Sequence, residues 1–99
     1  MAYSVSTTKG PTELGGVYKV VSKKVSPDAA TGNVTFSEFD TVDAILGFTF
    51  AETLTANCYS ADVQINGSTA NQVDFQLWKA GGTAADTAFL DFWVTVLAH

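Results

Sequence analysis

From Thr41 onwards the chain repeats a two-residue hydrophobic period in four separate stretches. They are Val42, Ala44, Leu46, Phe48 and Phe50; Tyr59, Ala61, Val63 and Ile65; Val73, Phe75 and Leu77; and Leu90, Phe92, Val94 and Val96. Between them stand Asp43, Thr49, Asp62, Gln64, Asp74, Gln76, Asp91 and Thr95. Successive side chains of a strand point to opposite faces, so this pattern predicts strands with one buried face. Ser37-Glu38-Phe39-Asp40 also reads as a capping box for a helix reaching Leu46. Five unbroken steps of period two, Gly47 and the β-branched residues favour a strand there instead.

The remaining strands are expected at Val17 to Ser26, Asn33 to Phe36, Asn57 to Asn66, Gln72 to Ala80 and Ala88 to Ala98, separated by turn formers such as Pro27, Gly32, Asn66-Gly67-Ser68 and Gly81-Gly82. Val17 to Ser26 is apolar in both phases (Val17, Val21, Val25 against Tyr18, Val20), which predicts cover on both sides. Residues 1–16 are rich in Ser, Thr and Gly, break at Gly10-Pro11 and alternate only at Tyr3 and Val5. They are expected to form an extended N-terminal arm in front of a domain spanning 17–99. The fold class is therefore all-β: a single β-sandwich, jelly-roll or immunoglobulin-like, whose core takes Val42, Leu46, Phe48, Phe50, Val63, Ile65, Val73, Phe75, Leu77, Phe92, Val94 and Val96.

Ninety-nine residues make one domain that buries roughly 60–65% of its unfolded surface, enough for a core but not for an enclosed cavity beside it. Charged residues are only 15% of the chain, with a net charge of −5 and no Arg, so nucleic acid is not an expected partner. Four of the five Lys precede residue 25, opposed only by Glu13, while the rest of the chain is acidic. No apolar run reaches 18 residues and the N-terminus has no hydrophobic stretch, so neither a membrane span nor a signal peptide is expected, and the chain is expected to fold in a reducing cytoplasm. Asn33-Val34-Thr35 and Asn66-Gly67-Ser68 then read as turn residues rather than glycosylation sites.

Catalysis would need a nucleophile with a base, a metal cluster or a carboxylate pair. His99 is the single His, at an expected mobile terminus, and Cys58, the single Cys, stands in the phase of Ser60 and Asp62 as a partly covered structural thiol. Asp40 with Asp43 and Asp86 with Asp91 read as solvated charges, ahead of a glycosidase pair or a loop Ca²⁺ site at Asp28 or Asp86. No catalytic residue, cofactor or metal ligand is assigned, and the chain is expected not to be an enzyme. The informative exceptions are Ile45, Trp78, Phe89, Trp93 and Leu97, large apolar residues on the outward phase. Three readings stay open: cover by the chain itself, a subunit interface, or an aromatic platform for stacking sugars beside Asp74 and Asp91.

The Ala2-Tyr-Ser-Val-Ser-Thr-Thr-Lys-Gly arm, then Thr41-Val-Asp-Ala-Ile-Leu, Val73-Asp-Phe-Gln-Leu-Trp-Lys-Ala and Phe92-Trp-Val-Thr-Val-Leu, together resemble small accessory virion proteins of tailed bacteriophages, most of all capsid decoration (cement) proteins. The resemblance spans the chain and is one of size, composition and strand style. It implies an all-β, non-enzymatic structural protein made in the host cytoplasm and located in the virion, a homo-oligomer (trimer or dimer) that binds the major capsid protein or other virion subunits and stabilises the shell. Tyr3, Val5 and Lys9 would be arm contacts. The alternatives are a phage tail, neck or fibre component, or a small carbohydrate-binding β-sandwich module.

Overall fold

In the computed structural model residues 3–99 are described, the side chains of 3–7 and 13–15 excepted. Seven strands run in chain order: β1 (Tyr3–Gly15), β2 (Tyr18–Pro27), β3 (Thr31–Thr35), β4 (Val42–Phe50), β5 (Ser60–Ile65), β6 (Gln72–Trp78) and β7 (Phe92–Ala98). They form two antiparallel sheets, ordered β1-β2-β7-β4 and β3-β6-β5, packed into a single sandwich. The second strand pairs with the last, and the third with the sixth, in opposite sheets. That nested winding belongs to a jelly roll of fewer than eight strands, not to an immunoglobulin domain, whose second strand pairs with its fifth.

Residues expected as an arm are a sheet edge instead. β1 pairs with β2 from Tyr3↔Pro27 to Gly15↔Tyr18, with register shifts between Val5 and Thr7, Lys9 and Thr12, and Glu13 and Gly15. Each shift inserts one residue and flips the following side chains to the other face, so no period of two survives in the sequence. Pro11 is tolerated because an edge strand needs no second ladder. Gly10 has φ 92°, and a Cβ there would lie 2.7 Å from the Val20 carbonyl oxygen, so only glycine lets β1 run this close to β2. Tyr3 and Val5 are placed by register only; the expected contacts of their side chains lie outside the described residues.

The core follows the expected phase along the inner strands. Val73, Phe75 and Leu77 of β6 and Phe92, Val94 and Val96 of β7 are buried, joined by Val21 and Val25 of β2, Val34 and Phe36. Phe92 sits in an aromatic cluster, its ring centroid 4.9 Å from Phe48 and 5.2 Å from Phe75. On the edges the expectation needs correction. β4 carries one extra residue between Val42 and Ala44 and another between Ile45 and Gly47. The inward set is therefore Val42, Ile45, Phe48 and Phe50, and Leu46 is 53% exposed. On β5, Ala61 and Val63 pack against the core, whereas Ile65 is exposed. Cys58 is not partly covered but fully buried, while Tyr59 is exposed, because a turn at 55–58 precedes the strand and resets its phase. Nor is β2 covered on both sides: Val17, in the turn, and Tyr18 are both exposed.

Candidate interaction surfaces

The outer face of the four-stranded sheet is ordered by its register. One row runs Lys24, Trp93, Thr49; the next Lys9, Ser22, Thr95, Gly47; the next Thr12, Val20, Leu97, Ala44. In the first two rows polar groups close over the aromatic: the Lys9 ammonium lies 5.2 Å from the Trp93 ring centroid, and the Ser22 and Thr95 hydroxyls are hydrogen-bonded at 2.6 Å. Past exposed Thr12, the third row is apolar and half-buried, and exposed Tyr18 and Leu46 flank it on the outward side. A band of Tyr18, Val20, Leu97, Ala44 and Leu46 thus crosses three strands.

Beyond Tyr18, His99 closes that end of the sheet. Its Nδ1 is 2.7 Å from Asp43 Oδ2, its ring meets the edge of Tyr18, and its main chain exchanges hydrogen bonds with Thr41. The residue expected to be mobile is pinned, and Asp43, the first extra residue of β4, is engaged rather than simply solvated. Asp86 is likewise engaged by Lys79 at 2.8 Å, and that hydrogen bond holds its carboxyl below the usual carboxylate range.

The five outward residues singled out in the sequence do not form one patch. Trp93 and Leu97 share the face just described. Ile45 turns inward with the displaced phase of β4, and Phe89, in the irregular approach to β7, also packs against the core. Trp78 stands on the opposite sheet, on the outer face of β6.

Around Trp78 that second face is polar. Asn33, Asp74 and Gln64 lie side by side across β3, β6 and β5, followed by Thr31, Gln76 and Asp62. Asn33 and Asn66 both donate to Asp74 Oδ1, the latter at 2.9 Å, and Trp78 Nε1 donates to Asp62 Oδ2 at 3.0 Å. Asn66 is positioned in turn by its own loop, accepting from the Ser68 and Thr69 amides at 2.8 Å. The face is a shallow, open concavity of about 520 Å³. The sequence carried a signal for it: the outward phase of β3, β5 and β6 holds Asn, Gln, Asp and Thr where surface strands commonly hold Lys or Glu.

Among the described residues no buried side-chain nitrogen or oxygen lacks a hydrogen-bond partner. Lys23 shares the inward phase of Val21 and Val25, and its ammonium is 2.8 Å from Glu38 Oε1, 3.4 Å from the Thr35 carbonyl and 4.9 Å from the Phe36 ring centroid. Burial would raise the Glu38 carboxyl, but the hydrogen bond from Lys23, the main chain and the Lys23 charge outweigh it and hold it below its ordinary value. Among the described residues no three His, Cys, Asp or Glu are grouped to hold a metal ion, and no helix is long and apolar enough to cross a membrane. Comparison with protein-family models, with curated proteins and with solved structures returned no match, so the geometry of the two faces carries the functional reading.

Proposed function

We propose that the chain is a non-enzymatic structural subunit of a bacteriophage virion, a decoration protein that docks on the capsid shell through the outer face of its four-stranded sheet. The observation that carries this reading is the apolar band of Tyr18, Val20, Ala44, Leu46 and Leu97, which is continuous across three strands and leaves Tyr18 and Leu46 exposed. Lys9 and Lys24 adjoin the band on the same face, whereas Asp62 and Asp74 occupy the opposite sheet, so the two faces differ in charge. Such a division orients a subunit against an acidic neighbour and sets register more than affinity. Nested jelly-roll strands provide a rigid frame for repeated identical contacts.

The test is co-sedimentation of the purified protein with undecorated capsids of the phage that encodes it, comparing wild type with Leu46→Asp. Leu46 is exposed, so the substitution should alter folding stability by no more than about 0.5 kcal/mol. A desolvated charge in the docked face should weaken attachment by tenfold or more, on the order of 1.4 kcal/mol. Wild-type protein that fails to sediment with capsids, or Leu46→Asp that attaches undiminished, would overturn the reading.

A further inference from the structure

We infer that the concave outer face of β3-β6-β5 is a binding site for a neutral carbohydrate. It lies on the sheet opposite the proposed capsid-docking band and does not depend on that reading. Three observations converge.

The first is the hydrogen-bonding chemistry of the surface. Asp74, centred in the face, receives two side-chain amide donors on a single oxygen, Oδ1, from Asn33 on one flank and Asn66 on the other. Its position is fixed by those bonds, and among the described residues no hydrogen bond engages Oδ2. Asp62 is fixed in the same way through one oxygen by the Trp78 indole, and among the described residues no hydrogen bond engages its Oδ1. Two pre-oriented carboxylates, each with an oxygen to spare, are acceptors for hydroxyl donors. The Gln64 side chain beside Asp74 can donate and accept in the same place. A polyol presents the matching alternation of donor and acceptor hydroxyls at each ring carbon.

The second observation is Trp78. Its bond to Asp62 ties the indole across from β6 to β5, where it lines the concavity. An aromatic ring held on a polar face offers a flat electron-rich surface to the C–H groups on one side of a pyranose, while the hydroxyls at the ring's rim reach the carboxylates and amides. This pairing of one aromatic surface with short, tethered polar side chains separates the face from ordinary solvated strand surface.

Charge and size are the third. Neither Lys nor Arg lines the concavity, and its two carboxylates repel phosphate, sulfate and uronic acids. A volume of about 520 Å³ lies within the ~300–1,000 Å³ of small-ligand clefts. The remaining competitor for an acidic, aromatic face is a cationic peptide, which would be held by charge and released by salt. Directional acceptors already engaged on one oxygen favour the neutral ligand.

The experiment uses the full chain carrying Trp93→Phe, which leaves Trp78 as the sole indole. It is titrated with neutral glucose, galactose, mannose and N-acetylglucosamine oligosaccharides, and separately with pentalysine, reading tryptophan fluorescence and heat of binding. Binding of at least one neutral oligosaccharide with a Kd of about 10 μM to 1 mM is expected, little changed between low and high salt. Asp74→Asn keeps the shape and an acceptor for Asn33 and Asn66 but removes the charge, and should weaken binding about tenfold; Trp78→Ala should weaken it further. Unchanged circular dichroism of Asp74→Asn separates lost binding from lost folding. The inference is overturned if no neutral oligosaccharide binds, if only pentalysine binds and salt abolishes it, or if Asp74→Asn and Trp78→Ala bind as tightly as the parent.

Discussion

β7 and β4 are neighbours in one sheet, and in the sequence both alternate without interruption, yet only β7 keeps that alternation in space. β7 is hydrogen-bonded on both sides, to β2 and to β4, and buries Phe92, Val94, Val96 and Ala98 at every second residue. β4 has a ladder on one side only and absorbs two extra residues, Asp43 and Leu46, into its register with β7. The other edge of the same sheet, β1, absorbs three. An inner strand pinned on both sides cannot slip without breaking two ladders, whereas an edge can bulge, and bulging also blunts it against pairing with other chains. Inward residues on inner strands should therefore dominate stability, and apolar residues of the edges should divide sharply by phase.

The largest expected effect tests the inner half of that comparison. Phe92→Ala removes a fully buried ring that touches both Phe48 and Phe75, and should cost about 3–5 kcal/mol, most of the stability of a domain this small. Chemical denaturation would measure it. A loss below about 1 kcal/mol would mean that the core is not centred on β7.

How far the fold was legible follows the same division. β5, β6 and β7 were readable because period two and turn residues mark them, β2 and β3 because turn residues bound short apolar runs, and β4 was readable as a strand but not for its inward face. A single extra residue leaves composition untouched while inverting which side chains point in, so Leu46 and Ile45 exchange roles with no trace in the pattern. In β1 three such insertions erased the pattern altogether. Trp78, Trp93 and Leu97 stand on outward phases as expected, but their separation onto opposite sheets depends on strand order, which local periodicity does not carry. The polar concavity was written in the residue types of β3, β5 and β6 but needed the same strand order to become one surface.

The second prediction sets two adjacent residues of β4 against each other. Ile45→Ala removes a side chain packed on the core opposite Val96 and should cost about 1–3 kcal/mol, reduced from a full burial because the site is only partly covered. Leu46→Ala, at an exposed extra residue, should stay within about 0.5 kcal/mol. Equal losses, or a larger loss at Leu46, would restore the unbroken alternation of the sequence and remove the bulge.

A smaller effect than that at Ile45 concerns Lys23, the buried charged residue in the inward phase of β2. Lys23 is tolerated there because Glu38 meets it at the sandwich margin, with the Thr35 carbonyl and the Phe36 ring as further company. Glu38 has a folded pKa below the ordinary carboxyl value of 4.5, so its contribution is present above that pH and is lost as pH falls through the lower, folded pKa. The side chain is 39% exposed, and solvent screens the pair, so Glu38→Gln should cost only about 0.5–1 kcal/mol at pH 7. As the pH drops below 4.5 the wild type should lose that advantage while the variant has none to lose, and the two denaturation curves should converge. A difference that persists unchanged at the lowest pH would assign it to packing of the Glu38 side chain rather than to its charge, leaving Lys23 held by the Thr35 carbonyl and the Phe36 ring alone.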